Sequence, residues 1–240
     1  MIHYPSLRQQ IYAFVRDQLQ QGLLAPGERI CLPTLSRHLG VSKTPLRDAL
    51  IQLETEGFVT ILPRRGVEVR RLTLQDIREA YQIVGALEGA VVGEVFEALR
   101  SPELVARLEA LNRAQQETVT GGDFDRYYQL NLDFHDVFLD LSDNRALKRV
   151  IQPLKQRLYD FPRRRYLLEW ERQHLDEHRR FIAHLRDGRR DAAVAEIRDV
   201  HWGFEHHRRY FTGFYRLEDA ACPARPGRSR IDLSPISRKS

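Results

Sequence analysis

The sequence predicts a mainly α-helical protein, with an N-terminal winged helix-turn-helix domain (α+β) followed by an all-α helical bundle. Two short helices joined by a glycine-containing tripeptide, and then two short strands of alternating apolar pattern, indicate the first domain. From residue 73 onward, apolar residues recur at helical spacing for nearly 140 residues, which indicates the second. We place the domains at residues 1–71 and 72–215, followed by a disordered basic tail at 216–240.

The first two predicted helices span residues 7–24 and 33–39. The first has apolar residues at helical spacing and ends before the turn of residues 25–27. The second has Pro33 in its first turn, where a missing backbone N–H is tolerated, and Gly40 just beyond its end. Since only residues 40–42 separate it from the next helix, the pair has the form of a helix-turn-helix.

The third predicted helix is capped by Ser42, runs to about Glu56 and stops at Gly57. Its two faces differ in character. One opening edge carries Lys43, Thr44 and Arg47, and the opposite face carries the apolar residues Leu46, Ala49, Leu50 and Leu53. A helix that buries one face and presents short polar and cationic side chains at its N-terminal end is suited to a DNA groove.

Residues 58–70 change from the helical period to the period of a strand and are rich in Val, Ile and Thr. The turn of residues 63–66 lies between the two predicted strands and contains Arg64, Arg65 and Gly66. The pattern therefore predicts a hairpin with a basic tip. Because it directly follows the helix-turn-helix, we interpret it as the wing of a winged-helix domain.

The sequence from residue 73 onward predicts a bundle of about six helices. The first has an apolar stripe that begins at Leu74 and continues to Leu99. Glycine, asparagine and proline residues separate the later ones, which we place at residues 102–119, 123–142, 145–171, 172–187 and 190–211.

Composition excludes several classes of protein. The chain has 240 residues, of which 42% are hydrophobic, but it has no apolar run of 18 residues and no secretory leader at its start. Its two cysteines, Cys31 and Cys222, are far apart, which favours a reducing compartment over a disulfide framework. We therefore expect a cytoplasmic protein without a membrane partner.

The charge distribution agrees with a DNA-binding N-terminal domain. Residues 1–70 contain 9 Lys or Arg and 6 Asp or Glu, whereas residues 71–215 contain 23 and 24. Isolated cations usually belong to an ordinary solvated surface, but here charge, helix-turn-helix and wing agree. Base contacts are expected from Lys43 and Arg47, phosphate contacts from Ser42 and Thr44, and minor-groove contacts from Arg64 and Arg65.

The bundle contains a candidate metal site. Asn131 and His135 are four residues apart, so they project from one helix face, and His178 and His201 fall on two later helices. Neutral imidazoles bind zinc, nickel and related divalent ions. The alternative is that these histidines are surface residues or hydrogen-bonded core residues, as we expect of His206 and His207 on a solvated face.

The N-terminal segments LLAPGERI, LSRHLGVSKTPLRDALIQLETEGFV and PRRGVEV resemble the DNA-binding domain of the GntR family of bacterial transcription regulators. The helical remainder resembles the ligand-binding (FCD) domain of its FadR subfamily, and the resemblance covers about residues 7–210. It implies a homodimer on a palindromic double-stranded DNA operator, with Lys43, Thr44, Arg47 and the Gly66 wing in contact positions. Where many members carry Arg on the second helix, this chain has Pro33.

The same resemblance implies one divalent metal ion, zinc, nickel or similar, per subunit. The family's three histidine ligands match His135, His178 and His201, but the position of its acidic ligand holds Asn131. The resemblance also implies a small organic acid, held by the metal ion, as the effector. The arginine that binds the effector's carboxylate in many relatives is replaced here by Val84, so an effector that is less acidic or more apolar than usual is the alternative.

We therefore expect a metabolite-responsive DNA-binding regulator, a repressor that its effector releases from DNA, rather than an enzyme. A metal-dependent hydrolase that uses the three histidines is one alternative, but the chain lacks an HExxH arrangement, a phosphate loop and a nucleophile elbow. An architectural DNA-binding dimer, whose bundle serves only dimerisation, is the other alternative.

Overall fold

The structure, a computed structural model, describes residues 5–160 and 167–215. These form two compact units. The first contains residues 5–73 and 156–160 with Tyr215, and the second contains residues 74–155 and 167–214. The predicted tail at 216–240 lies outside the described residues.

The first unit is a winged helix-turn-helix, as predicted. Its elements are α1 (Leu7–Gln20), β1 (Arg29–Ile30), α2 (Leu32–Leu39), α3 (Lys43–Thr55), β2 (Val59–Leu62) and β3 (Gly66–Val69). Helix α1 begins with a reciprocal capping box between Ser6 and Gln9, and it ends four residues earlier than predicted. One apolar core, which includes Val15, Leu35 and Phe58, joins the three helices to the sheet.

The turn between α2 and α3 has the predicted form. Gly40 ends α2 with a φ of 63°, a left-handed conformation that favours glycine. The Ser36 hydroxyl donates a hydrogen bond to the Val41 carbonyl at 2.7 Å and fixes the turn. The predicted apolar face of α3 is buried, but Ser42 makes no capping hydrogen bond through its side chain. Ser42 therefore occupies the predicted cap position without performing that role.

The wing is an antiparallel hairpin in which β2 pairs with β3, with Val59 opposite Val69 and Leu62 opposite Gly66. A third strand, β1, pairs with the other edge of β3 and gives the strand order β1-β3-β2. The sequence did not predict β1, because two residues are too few to display an alternating pattern.

The second unit is helical, as predicted. Its elements are α4 (Leu74–Leu99), α5 (Pro102–Gly121), α6 (Phe124–Leu139), α7 (Arg145–Asp160), α8 (Leu168–Arg186), α9 (Arg190–Ala195), a π-helix (Glu196–His201) and α10 (Phe204–Tyr215). The last turn of α7, from residue 156, and Tyr215 at the end of α10 belong to the first unit. Helix α5 packs against α6 and α8, while α4 packs against α6, α9 and the π-helix. Apolar residues at helical spacing, such as Val84, Val91 and Val95, bury one face of α4.

Two predicted helices in this unit were wrong in extent. The helix predicted at 145–171 ends at Asp160, and α8 begins at Leu168; the intervening residues 161–166 lie outside the described residues. The helix predicted at 190–211 is divided by the π-helix, whose i→i+5 hydrogen bonds interrupt the α-helical pattern. In residues 5–160 and 167–215, no helix combines the length and apolar character that a membrane span requires.

Candidate functional site

The first candidate site is a basic surface on α3 and the wing. Lys43, Thr44 and Arg47 are exposed on the first turns of α3, and Arg64 and Arg65 are exposed at the hairpin tip. Within the described part of the chain, none of the four cationic side chains has an ion-pair partner. Their charges are therefore available to an anionic partner.

A groove of about 720 Å³ separates α3 from the wing. Lys43, Arg47 and Arg64 are among its lining residues, and its walls are otherwise largely apolar, as at Leu50 and Ile61. The structure thus brings three of the predicted cations to one groove. Three other predicted contact residues, Ser42, Thr44 and Arg65, lie outside its lining, whereas Gly66 lines it.

The second candidate site is a buried cluster in the helical unit. Helix α6 places His135 one turn after Asn131, α8 contributes His178, and the π-helix ends at His201. All four side chains are buried, the least buried being Asn131 at 3% exposure. The three histidines each offer a nitrogen, and these nitrogens lie within 4.8 Å of one another. The structure therefore brings together the three histidines that the sequence singled out.

The polar atoms that lack partners in this cluster are those that a metal ion needs. The Nε2 atoms of His135, His178 and His201 are buried without a hydrogen-bond partner, and so is Oδ1 of Asn131. Unpartnered buried polar atoms are rare in folded proteins, and three on converging histidines, with a fourth one turn before His135, favour a ligand-binding site. Three imidazole nitrogens and one amide oxygen form a donor set that fits a divalent transition-metal ion.

The other ring nitrogen of each histidine is held by an acceptor. Nδ1 of His135 donates to Oε2 of Glu88 at 2.8 Å, and Nδ1 of His201 donates to Oε2 of Glu177 at 3.0 Å. Nδ1 of His178 donates to Oε1 of Gln115 at 3.1 Å. A neutral imidazole that carries its proton on Nδ1 has a free lone pair on Nε2. Metal-binding histidines are typically oriented by such second hydrogen bonds.

Two further contacts fix the His178 ring. The Gln115 side chain is itself oriented, because its Nε2 donates to the Leu130 carbonyl at 2.9 Å and leaves Oε1 as the acceptor. The Phe134 ring stacks on the His178 imidazole, with centroids 3.8 Å apart and an interplanar angle of 11°. The ring therefore has little freedom to turn its Nε2 away from the cluster.

Burial keeps the three histidines neutral. It lowers the pKa of His135 to about 3, against the partly opposing effect of the Glu88 charge. Burial also lowers the pKa of His178 well below its ordinary value, and that of His201 as well. The neutral form is the one that donates a lone pair to a metal ion.

The carboxylate of Glu88 organises one side of the cluster. Besides His135, it accepts hydrogen bonds from Nζ of Lys155 at 2.9 Å and from Nε1 of Trp202 at 2.7 Å. Burial opposes its ionisation, but the charge of Lys155 and the hydrogen bonds from His135 and Lys155 lower the pKa of Glu88 well below its ordinary value. Glu88 is therefore a buried carboxylate paired with a buried lysine.

A neighbouring group, His174, Glu177 and His207, also has metal-ligand composition. Here Nε1 of Trp170 donates to Nδ1 of His207 at 2.9 Å, so Nε2 of His207 carries the proton and donates to the Val200 carbonyl at 3.1 Å. His207 thus has no lone pair to offer. It is fully buried, so the expectation that it belongs to a solvated face was wrong, whereas His206 has a side chain 45% exposed.

The sequence did not single out the residues that orient the histidines. Glu88 and Lys155 are charged residues on buried helix faces, which is unusual enough to have served as a signal. Glu177, 1% exposed on α8, gave the same kind of signal, whereas the uncharged Gln115 gave none.

Comparisons with known proteins agree with this architecture. The family described as "Bacterial regulatory proteins, gntR family" matches residues 7–69, and the family described as "FCD domain" matches residues 79–201. The second match alone covers about half of the chain, and the two matches coincide with the winged helix-turn-helix and with the helical unit that holds the histidine cluster.

Relatives with similar sequences are named as transcription regulators. The HTH-type transcriptional regulator YdhC of Bacillus subtilis (strain 168) is 29% identical over 193 residues, which is 78% of this chain and 84% of the relative. The HTH-type transcriptional repressor RspR of Escherichia coli (strain K12) is 27% identical over 149 residues, covering 62% of this chain and 65% of the relative.

The solved structure of E. coli McbR/YncC superposes with a TM-score of 0.66 at 23% identity, over 90% of this chain and all of that one. A GntR regulator from Rhodococcus sp. RHA1 superposes with a TM-score of 0.58 at 19% identity, over 89% of this chain and 98% of that one. At this level of identity, both superpositions establish the fold. The chain belongs to the GntR family of bacterial regulatory proteins and carries an FCD domain, which makes it a metabolite-responsive, DNA-binding transcription regulator and not an enzyme.

Proposed function

We propose that this regulator is a homodimeric repressor that a small organic acid, bound at a divalent metal ion in the FCD domain, releases from a palindromic operator. The observation that carries the proposal is that ring nitrogens of His135, His178 and His201 lie within 4.8 Å of one another, while the Nε2 atom of each is buried without a hydrogen-bond partner. The relative RspR, which is named a repressor, supports repression rather than activation.

The DNA contacts in the proposal come from α3 and the wing. An arginine forms two parallel hydrogen bonds with guanine in the major groove, and this role is assigned to Arg47, with Lys43 beside it. The start of α3, with Ser42 and Thr44, suits phosphate oxygens. Arg64, Arg65 and Gly66 at the hairpin tip are assigned to the adjacent minor groove. Because Pro33 lacks a hydrogen-bonding side chain, fewer contacts are expected from α2.

The metal ion in the proposal is held by the three histidines and by Oδ1 of Asn131. Imidazole ligands favour zinc, nickel and similar ions over magnesium and calcium, which prefer oxygen. When bound, the ion supplies a site to which a carboxylate can coordinate. All four protein ligands are neutral, so they remove none of the ion's charge.

The charges around the cluster support an anionic effector. Lys155 already balances Glu88, and Gln115 is neutral. Two carboxylates among the described residues hydrogen-bond the three histidines. Of these, Glu177 alone has no lysine or arginine partner. A bound divalent ion thus keeps part of its positive charge, which an organic acid neutralises. The buried side chain of Val84 cannot bind the carboxylate of the acid, so affinity for the acid depends on the metal ion.

Regulation then follows from linkage. The effector can weaken DNA binding only if it binds more tightly to the conformation with the lower DNA affinity. Without metal, the same acid should bind weakly and leave the protein on its operator.

The test begins with the metal content of the full-length protein purified without chelator, compared among wild type, His178→Ala and His184→Ala. His184 lies on the same helix but outside the cluster, so it serves as the matched control. We expect about one ion per chain in wild type and in the control, and a large loss in His178→Ala.

The same three proteins are then bound to an operator selected from random duplexes and challenged with organic acids. We expect acids to release wild type and the control, but not metal-free protein or His178→Ala. Absence of metal from wild type, even after incubation with zinc or nickel, would refute the metal site. An unchanged acid response after loss of all three histidines would favour the architectural alternative.

A further inference from the structure

We propose that Gly85 and Gly89 of α4 are positioning residues that let the π-helix approach α4 closely enough for His201 to join the metal site. The inference rests on the proposed metal site and adds residues that touch neither metal nor effector. The backbone between α9 and α10 is irregular: residues 196–201 form the π-helix, which ends at His201.

The π-helix needs a local cause. Such turns are rare, occur mostly as single interruptions of α-helices, and are frequent at functional sites. Here the interruption separates α9 from α10 and brings His201 and Trp202 to two different partners. Nδ1 of His201 meets Glu177 of α8, and Nε1 of Trp202 meets Glu88 of α4.

The two glycines face this segment at very short range. A Cβ atom at Gly85 would lie 2.8 Å from Cβ of Trp202 and 2.9 Å from the carbonyl oxygen of Arg198. A Cβ atom at Gly89 would lie 2.9 Å from Cβ of Arg198. These neighbours are backbone or Cβ atoms, which cannot swing aside as the end of a long side chain can. Any side chain at either position must therefore push the π-helix away from α4.

Such a shift acts directly on the histidine cluster. Glu88 lies between the two glycines in sequence and binds both Trp202 and His135. If the π-helix moves away from α4, the Trp202 hydrogen bond lengthens and Nε2 of His201 leaves the other two nitrogens. Because a metal site tolerates misplacement of only about 0.5 Å, affinity should fall while the rest of the fold persists.

The chain contains its own control on the same face of α4. A Cβ atom at Gly93, one turn beyond Gly89, would lie 3.5 Å from Nη2 of Arg190 and from Cγ2 of Val194. That distance is ordinary van der Waals contact. Gly93→Ala is therefore a matched substitution that adds the same methyl group without displacing the π-helix.

The experiment uses the full chain, with Gly85→Ala, Gly89→Ala and Gly93→Ala compared with wild type. Zinc and nickel affinities are measured by competition with a chelator, and the unfolding midpoint is measured on metal-free protein. We expect Gly85→Ala and Gly89→Ala to weaken metal binding roughly 10–100-fold, the range seen when residues behind metal ligands are changed. We expect Gly93→Ala to stay within about twofold of wild type.

A size exchange distinguishes positioning from general damage. In the double variant Gly89→Ala with Arg198→Gly, the new methyl group occupies the space vacated by Cβ of Arg198, so metal affinity should recover toward the value of Arg198→Gly alone. Equal metal affinity of Gly89→Ala and wild type would overturn the inference while leaving the metal site in place. A loss of metal affinity that the Arg198→Gly exchange does not restore would overturn it as well. A wild type that binds no metal would remove the proposed site and this inference together.

Discussion

At the scale of single residues, the proton position on each histidine decides what the cluster can do. Glu88, Gln115 and Glu177 come from three different helices, and each accepts a hydrogen bond from one Nδ1. Three Nε2 lone pairs are therefore presented in one buried space. Of the four candidate ligands, Asn131 is the one that a single substitution can change in charge with little change in size.

Asn131→Asp should therefore tighten zinc or nickel binding by roughly tenfold, about 1.4 kcal/mol, because a carboxylate is a stronger ligand than a neutral amide. It should also weaken binding of the acid effector, because the site loses one positive charge. Chelator competition measures the first effect and calorimetry the second. Asn144→Asp, at an exposed position, is the control. Unchanged metal affinity would place residue 131 outside the ligand set.

The buried pair of Glu88 and Lys155 should matter to stability even without metal. Lys155→Met leaves the Glu88 carboxylate buried without its cation, which typically destabilises a fold by about 3–5 kcal/mol. Lys148, on the same helix, pairs with Asp136 at 3.3 Å and has a side chain 28% exposed. Lys148→Met should lower the free energy of unfolding by about 1 kcal/mol or less.

Urea unfolding of the metal-free proteins measures both lysine variants. Glu88→Gln combined with Lys155→Met should recover part of the lost stability, because it removes the unpaired charge and keeps an oxygen acceptor for Trp202. Equal losses in the two lysine variants would show that Glu88 does not depend on Lys155.

At the scale of elements, α3 divides its surface between two tasks. Leu46, Leu50 and Leu53 are at most 2% exposed and fix the helix to the core, while Lys43 and Arg47 face the groove beside the wing. Because the buried face holds the helix rigidly, substitutions on the exposed face should change DNA binding without changing the fold.

Arg47→Ala should cost about 1–3 kcal/mol of operator binding and relax base preference at one position, if Arg47 makes a bidentate base contact. Fluorescence anisotropy with the selected operator and single-base variants measures both effects. Arg8→Ala, which removes an exposed arginine of α1 outside the groove, should leave both unchanged. A uniform loss over all base variants would instead assign Arg47 to phosphate binding.

At the scale of the whole molecule, two units share one chain, and their two partners differ in kind. The first unit offers an exposed basic surface to a polyanion, and the second encloses neutral ligand atoms away from water. A ligand that binds only the folded state raises the apparent stability by mass action. Thermal unfolding can therefore detect metal and effector before either is identified.

Zinc or nickel at about 100 times its dissociation constant should stabilise the protein by about 2.7 kcal/mol and raise the unfolding midpoint by roughly 5–10 °C. Organic and sugar acids should raise it further only when metal is present. The variant without the three histidines should show neither shift. An acid that stabilises the metal-free protein equally well would place the effector pocket away from the cluster.

The sequence by itself predicted the order of elements in the first unit and the helical character of the second. Helix period, strand period and turn residues act over a few neighbouring positions, so they are legible without tertiary contacts. The same local signals failed at the two-residue strand β1 and at the π-helix. There, partners elsewhere in the chain decide the backbone.

The candidate metal ligands were also named from sequence, through their spacing and the family resemblance, but their convergence was decided by tertiary structure. Glu88 and His135 are 47 residues apart, and Glu88 and Trp202 are 114 apart. No local pattern specifies such pairs, because they depend on which helix faces pack together. The close approach of α4 to the π-helix, which two glycines permit, is part of that packing and sets where His201 lies.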